Sequence, residues 1–234
     1  MTRLLRPTAL AVLLAALAAG VTGAQDKSVR PGINDTFKDP DVGEFVNTFE
    51  GESREIYAKR DKIVAACGLK PGMVVADIGA GTGLFTRLFA PKVAPGGRVI
   101  AVDIAQKVLD HIAKTCKEAG INNVETQLCK SDSVELPAAS VDVAFICDTY
   151  HHFEFPFRTM ASVHAALKPG GRVVLVDFHR VLGKSRPFIL MHVRAGQDVV
   201  IKEVESCGFK LKGEEKGILD ENYIVLFDKV EQGK

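Results

Sequence analysis

The hydrophobic and polar positions of the chain follow two alternating periods, and each period predicts one kind of element. Short apolar runs recur at regular spacing and predict strands at Val74–Ile78, Val99–Val102, Val124–Leu128, Val141–Cys147, Val173–Val176 and Tyr223–Phe227. Apolar residues spaced three or four apart predict helices between them, in the groups Leu84, Phe85, Leu88 and Phe89, then Val108, Ile112 and Cys116, then Met160, Val163 and Leu167. Because apolar strands alternate with helices, the pattern predicts an α/β fold whose parallel sheet is covered on both faces.

The two ends of this pattern differ from its middle. Beyond a helix near Val199–Cys207, the run Phe209–Leu211 is separated from the last apolar run by a turn rich in Gly, Glu and Lys, which predicts an antiparallel pair at the edge of the sheet. Ahead of the first strand, residues 25–48 are polar and predict an extended lead-in. A charged helix is predicted over Glu50–Ala66, before the Lys-Pro-Gly turn at 70–72.

The first 24 residues read as a targeting segment. They contain two arginines, no acidic residue and the apolar run Ala9–Val21, followed by small residues up to Ala24. A membrane span needs about 20 apolar residues, so this run predicts a secretory signal peptide cleaved after Ala24. A buried N-terminal helix is the alternative. We therefore expect an exported protein, periplasmic or secreted, with no stable membrane span in its mature form, and a cytoplasmic protein if the signal is not used.

Composition and charge narrow the class of protein. Of the 234 residues, 47% are hydrophobic, which excludes a disordered chain, and 30 basic against 29 acidic residues give no basis for nucleic-acid binding. The five cysteines are odd in number and form no C-x-x-C pair, so we predict buried free thiols rather than disulfides or a metal set. That prediction conflicts with export, because exported proteins usually pair their cysteines.

The strongest chemical signal is the segment Asp77 to Gly83, D-I-G-A-G-T-G, which ends the first strand and opens a helix. Glycines let the backbone turn tightly and approach a ligand, and ligands of open α/β sheets bind at the carboxyl ends of the strands. A tight turn without a ligand is the alternative. The spacing departs from the dinucleotide fingerprint G-x-G-x-x-G, in which Leu84 would have to be glycine.

The D-x-G-x-G-x-G string resembles the first motif of class I S-adenosylmethionine-dependent methyltransferases. Further matches follow in order: Asp103 closes the second strand, where the family holds the ribose hydroxyls, and Ser131 to Ser133 follow the third strand, where the family contacts adenine. The segment Leu167–Arg172 matches the turn before the fifth strand. The chain is similar to a bacterial branch with an exported-looking N-terminus and to ubiquinone/menaquinone-type C-methyltransferases.

This resemblance implies a Rossmann-like methyltransferase fold: a seven-stranded, mostly parallel sheet with an antiparallel last strand and helices on both faces. The implied domain spans residues 70–234, after a signal peptide at 1–24 and a lead-in with a possible cap at 25–69. S-adenosylmethionine is the implied cofactor, and the implied cofactor-binding residues are Asp77, Gly79, Ala80, Gly81, Thr82, Gly83, Asp103, Ile104, Asp132, Ser133 and Asp148. A non-catalytic protein that binds this cofactor and an NAD-dependent oxidoreductase are the alternatives, the second disfavoured by the glycine spacing.

The predicted acceptor side follows the fourth strand. Tyr150, His151 and His152 are the candidate catalytic residues, because a neutral imidazole is a competent base near neutral pH and this loop lies at the carboxyl end of the sheet. Histidines that only fill the loop are the alternative. A metal site formed with His179 lacks a carboxylate in register, so no metal is expected. The acceptor is expected to be a small molecule.

Two further segments are candidates on weaker grounds. His192 and Arg194 follow the fifth strand, where a lid would lie, and Arg194 is a candidate to hold an anionic substrate by paired hydrogen bonds. The segment Glu50–Arg54 has alternating charge and reads as a solvated helix face. Its alternative is a cap over the cofactor, with Tyr57 as an aromatic contact.

Overall fold

The computed structural model describes residues 25–51 and 54–231, so the predicted signal peptide lies outside the described residues. Within them the strands are β1 Val74–Ile78, β2 Arg98–Asp103, β3 Val124–Leu128, β4 Val141–Cys147, β5 Leu167–Phe178, β6 Phe209–Glu214 and β7 Asn222–Lys229. The helices are α1 Val42–Phe49, α2 Glu55–Ala58, α3 Arg60–Ala66, α4 Leu84–Val93, α5 Gln106–Glu118, α6 Pro156–Ala166, α7 Pro187–His192 and α8 Gln197–Ser206. None of these helices is long and apolar enough to cross a membrane.

The seven strands form one sheet in the order β3-β2-β1-β4-β5-β7-β6. The first five are parallel, and β7 lies between β5 and β6, antiparallel to both. The predicted α/β fold with an antiparallel last strand is confirmed. Strand order reverses between β1 and β4, and this reversal opens a crevice at the carboxyl ends of the two strands.

The core lies on both faces of the central strands, as continuous apolar strands require. Every residue of β1 is buried, with Ala76 and Ile78 in one apolar cluster and Val75 in the cluster on the opposite face. Edge strand β3 is less buried than the predicted sheet, covered on both faces, would require. Its residues Glu125 and Thr126 are exposed, because an edge strand has a neighbour on one side only.

The N-terminal expectations are the least accurate. Residues 25–48 are not simply an extended lead-in, because α1 begins within them and is capped by the Asp41 carboxylate, which accepts the Glu44 N–H at 3.1 Å. The single helix predicted over Glu50–Ala66 is instead two short helices, α2 and α3, that meet at Lys59. The helix α7 was not predicted, because it has six residues and too few turns to show a period.

The cysteines are free, as predicted, but only two of them are buried. Cys67 and Cys116 are fully buried, and burial raises the pKa of the Cys67 thiol to about 12. Cys129, Cys147 and Cys207 are partly exposed, so the expectation of five buried thiols is wrong for these three. Cys129 and Cys147 follow or end strands next to the crevice, which exposes part of each side chain to it.

Candidate functional site

A cavity of about 590 Å³ opens at the carboxyl ends of β1, β2 and β4, where the strand order reverses. That volume lies within the roughly 300–1,000 Å³ of small-molecule sites. Its wall contains residues of the glycine loop, the ends of the strands and the N-terminal segment, among them Gly79, Ala80, Gly81, Thr82, Asp103, Ile104, Ser133, Asp148, His151 and His152. The fold therefore brings most of the candidate residues to one cavity.

The glycines of the loop have different roles. Gly79 has a φ of +71°, and a Cβ there would lie 2.3 Å from the Thr149 side chain. Gly81 has a φ of +54° with open space around it, so its bare backbone faces the cavity. Gly83 does not line the cavity: a Cβ there would lie 2.7 Å from Ile112. Gly83 instead packs α4 against α5, and its contact with the cofactor stays a prediction.

Asp103 holds the glycine loop in place. Its carboxylate accepts the Gly81 N–H at 3.0 Å and the Ala105 N–H at 3.0 Å, and only 9% of the residue is exposed. Burial raises the pKa of this carboxyl, while the two backbone donors favour its charged form. Asp103 thus links the end of β2 to the backbone of the loop, which the motif alone did not reveal.

Asp77 lies beneath the loop and is almost wholly buried. The Thr86 hydroxyl donates to its carboxylate at 2.6 Å. Burial raises the pKa of Asp77 to about 6, and Thr86 offsets only part of that effect. Because α4 supplies this hydroxyl from its first turn, the contact also sets the distance between β1 and α4.

The raised pKa of Asp77 predicts a pH dependence of stability. A carboxyl with a pKa raised above 3.8 in the folded state contributes stability below pH 3.8 and loses it as pH rises through about 6. Between pH 4 and pH 7.5 the protein should therefore lose about 2–3 kcal/mol relative to Asp77→Asn, which cannot ionise. Urea unfolding of both proteins across this range measures the difference. A difference that stays constant with pH contradicts the prediction.

Of the predicted adenine segment, only part reaches the cavity. Ser131 and Ser133 line it, whereas the Asp132 carboxylate pairs with the Arg158 guanidinium at 2.7 Å and is absent from the cavity wall. The contact of Asp132 with the cofactor therefore stays a prediction, and its one described ion pair is with Arg158. Arg158 belongs to α6, and its ion pair with the Asp132 carboxylate holds that group outside the cavity wall.

Asp148 lies at the carboxyl end of β4 and contacts residues from an N-terminal and a C-terminal segment of the domain. It pairs with the Arg54 guanidinium at 2.5 Å and accepts the Asn222 amide at 2.6 Å. Burial raises its pKa to about 6, although the Arg54 charge acts in the opposite direction. The expectation of a solvated face is wrong for Arg54, which lines the cavity. No sequence signal indicated this pair, because 94 residues separate its members.

The N-terminal segment covers the cavity with aromatic rings. Phe37, Phe45 and Phe49 all line it and contact one another in series, with ring centroids 5.5 Å and 4.9 Å apart. Tyr57, the aromatic residue proposed from sequence, does not line the cavity; its ring instead lies under the Arg60 guanidinium. Phe45 and Phe49 are four residues apart and share a face of α1. This spacing is a helical signal, but the polar composition of the segment led to the prediction of an extended lead-in.

His151 and His152 both reach the cavity, in different electrostatic states. The His151 Nδ1 lies 2.7 Å from the Asp177 carboxylate, which also accepts the His151 N–H at 3.1 Å. Burial opposes protonation of His151, but the Asp177 charge and hydrogen bond raise its pKa above the ordinary value. Burial lowers the pKa of His152 to about 2, so this ring is neutral near pH 7. Asp177 was not predicted; a lone carboxylate ending an apolar strand was its only signal.

Tyr150 and Arg194 do not line the cavity. The Tyr150 hydroxyl donates to Glu203 at 2.9 Å, and the Arg194 guanidinium donates to both oxygens of the same carboxylate, at 2.8 Å and 2.6 Å. The roles of Tyr150 as a catalytic residue and Arg194 as a substrate contact stay predictions, and their described contacts are with Glu203. Both side chains turn toward α8, where Glu203 neutralises the guanidinium. His192, in contrast, lines the cavity.

The middle of the chain is similar to known proteins. Residues 75–171 match a family model described as a methyltransferase domain. Over 118 residues the chain is 30% identical to the ubiquinone/menaquinone biosynthesis C-methyltransferase UbiE of Ralstonia pickettii, and this alignment covers 50% of the chain and 48% of that relative. The chain thus spans about half the length of the curated relatives it matches.

Solved structures share the fold across most of the chain. An S-adenosylmethionine-dependent methyltransferase from Aquifex aeolicus superimposes with a TM-score of 0.71 at 21% identity, covering 82% of this chain and all of that one. The 1,6-didemethyltoxoflavin-N1-methyltransferase of Burkholderia thailandensis, solved with S-adenosylhomocysteine bound, gives 0.59 at 22% identity, with 81% and 83% of the chains covered. At these identities the likeness is one of fold.

Proposed function

We propose that the methyltransferase domain matched over residues 75–171 belongs to the class I S-adenosylmethionine-dependent family, and that the protein transfers a methyl group from S-adenosylmethionine to a small-molecule acceptor. The observation that carries the proposal is one cavity lined by the glycine loop, by Asp103 and by His151. A donor-binding loop and a buried histidine on the same cavity are what a transfer between two bound molecules requires.

The residues of the cavity fit the cofactor. Gly81 leaves its backbone open to the crevice, Gly79 lets the loop pack closely on Thr149, and the Asp103 carboxylate lies beside the loop as an acceptor for hydroxyl groups. Asp148 offers a carboxylate on the β4 side, where the charged amino-acid end of the cofactor would lie. When bound, S-adenosylmethionine supplies an electrophilic methyl group on a sulfonium centre.

The rest of the cavity would position the acceptor and exclude water. Phe37, Phe45 and Phe49 cover the opening with apolar surface, and Phe178 and Phe188 line the wall that also holds the histidines. Removing water favours transfer because donor and acceptor are then held in line without solvent between them. His151, oriented by Asp177, is placed to accept a proton from an acceptor that must lose one.

Isothermal titration calorimetry with S-adenosylhomocysteine tests the proposed function directly. We expect one molecule bound per chain, and no measurable heat with NAD⁺ or NADH, because the glycine spacing differs from the dinucleotide fingerprint. Failure to bind S-adenosylhomocysteine, or tight binding of NADH, would contradict the proposed function. The binding measurement needs no knowledge of the acceptor.

We propose that the protein is exported after removal of residues 1–24. The N-terminal pattern supports this proposal. Gln25, the residue after the proposed cut, contacts the domain: its side chain accepts the Phe157 N–H and donates to the Glu154 carbonyl. Mass spectrometry of the protein from fractionated cells should find Gln25 as the N-terminus outside the cytosol. An intact N-terminus in the cytosol would rule export out.

A further inference from the structure

Three histidines converge at one end of the cavity. His151 and His152 belong to the 3₁₀ turn Tyr150–His152 after β4, and His192 ends α7, some 40 residues away in sequence. One ring nitrogen of each lies within 4.8 Å of those of the other two. His179, the third histidine considered from sequence, instead packs against Tyr223.

The spacing of two of these nitrogens suits a shared ion. The His152 Nε2 and the His192 Nε2 are 3.2 Å apart. Two nitrogens bound to one tetrahedral ion at 2.0–2.1 Å are separated by about 3.3 Å. The two Nε2 atoms are therefore already at the separation that a shared ion would require. The His151 ring lies 4.4 Å from the His152 ring, centroid to centroid, and needs a small side-chain adjustment to complete a set of three.

The hydrogen bonding around the rings also suits metal ligands. Asp177 engages the Nδ1 of His151 and leaves its Nε2 free, which is how a carboxylate orients a metal-bound histidine. The Nδ1 of His152 is buried and has no hydrogen-bond partner among the described residues. The proposed ion would bind the other nitrogen, Nε2, so the geometry of the facing Nε2 atoms supports the site and the unpartnered Nδ1 does not.

Surrounding residues hold the third ring rigidly. Phe188 stacks on His192 with 4.8 Å between ring centroids, and the Arg30 guanidinium donates to the carbonyls of Met191 and His192. The Arg30 charge opposes a bound cation, and the Asp177 carboxylate behind His151 favours one. The three rings thus sit in a preorganised position with a negative charge directly behind one of them.

We propose that His151, His152 and His192 bind one divalent late first-row transition-metal ion, with Zn²⁺ as the ion best suited to three imidazoles. Three protein ligands leave a further coordination position open, as catalytic zinc sites do, and this position faces the cavity. Its occupant would be an oxygen atom of the methyl acceptor, an assignment that rests on the proposed function. With the ion bound, His151 would be a ligand and would no longer serve as the proton acceptor, because its Nδ1 is engaged by Asp177 and its other ring nitrogen would be bound to the ion. Metal binding itself does not depend on that function.

The test titrates the full chain, freed of metal with a chelator and kept reduced, with ZnCl₂ by calorimetry and with CoCl₂ by visible absorption. We expect one ion per chain and the d–d bands of a four-coordinate Co²⁺ complex without thiolate charge-transfer bands. His192→Ala and His152→Ala should each weaken Zn²⁺ binding at least tenfold. His111→Ala, on α5 and outside the cluster, is the matched control and should bind like the unmodified protein.

Three results would overturn the metal site: no ion bound, an affinity unchanged in His192→Ala and His152→Ala, or a Co²⁺ spectrum dominated by thiolate ligands. The last would indicate cysteines such as Cys129 and Cys147, which share the cavity wall. Calorimetry with S-adenosylhomocysteine on the same preparations separates the two proposals. Cofactor binding without metal binding contradicts only the metal site, and metal binding without cofactor binding contradicts only the proposed methyl transfer.

Discussion

Asp103→Ala is expected to raise the Kd for S-adenosylhomocysteine about 100-fold, which corresponds to about 2.7 kcal/mol. Two losses combine in this variant. The carboxylate would no longer accept the ribose hydroxyls, charge-assisted bonds that contribute about 1–3 kcal/mol. In addition, the Gly81 N–H loses its partner at 3.0 Å, so the glycine loop, the proposed cofactor-binding segment, loses its hydrogen bond to the end of β2. Calorimetry on the purified variant measures the change.

Two further variants test whether the change in Kd depends on the charge of Asp103 and on its position. Asp103→Asn keeps one acceptor oxygen and removes the charge, so we expect an intermediate loss of about tenfold. Asp110→Ala removes an exposed aspartate of α5, whose only described partner is the Gln106 side chain, and should leave the Kd unchanged. A Kd that does not change in Asp103→Ala would refute its assignment to the ribose.

Glu203→Ala is expected to lower the free energy of unfolding by about 3–5 kcal/mol, the largest stability effect we predict. The Glu203 carboxylate accepts bonds from Tyr150 and from both terminal nitrogens of Arg194. Its removal leaves a guanidinium only 15% exposed without a counter-charge and a buried hydroxyl without an acceptor. The Arg194 Nε already lacks a partner among the described residues, so nothing nearby replaces the lost carboxylate.

Urea unfolding of Glu203→Ala, followed by circular dichroism, tests this expectation. Glu203→Gln keeps an acceptor for Tyr150 and should cost less, about 1–2 kcal/mol. Lys202→Ala changes an exposed charge one residue away on α8 and should alter the free energy of unfolding by no more than about 0.5 kcal/mol. A loss below about 1 kcal/mol in Glu203→Ala would show that water replaces the carboxylate.

Most of the sheet was predictable because its strands carry their own local signal. Val74–Ile78, Val124–Leu128 and Val141–Cys147 match the predicted bounds residue for residue. The central strands β1 and β4 are covered on both faces and are therefore mostly apolar, so their limits are visible in sequence; this reason does not extend to the partly exposed edge strand β3. The N-terminal segment was predicted poorly because α1 has only eight residues and its apolar face covers a cavity rather than a core.

The cofactor side of the site was also largely visible in sequence. The glycine loop and Asp103 come directly after strand ends, and the carboxyl ends of adjacent parallel strands meet at one edge of the sheet. Sequence position does not specify where a side chain points. Asp132 follows β3 as predicted but pairs with Arg158, and Tyr150 precedes two cavity histidines but bonds Glu203.

By itself the sequence determined the order of strands and helices, the glycine loop and the carboxylate at the end of β2, since each depends on neighbouring residues. Only the tertiary structure decided which distant groups meet: Arg54 with Asp148, Asp177 with His151, and His192 with His152. The members of these pairs are 94, 26 and 40 residues apart in sequence, and each contact satisfies the hydrogen bonding of partly or fully buried polar groups. A local sequence pattern does not predict these contacts, because the need for a hydrogen-bond partner arises only when folding buries the polar groups.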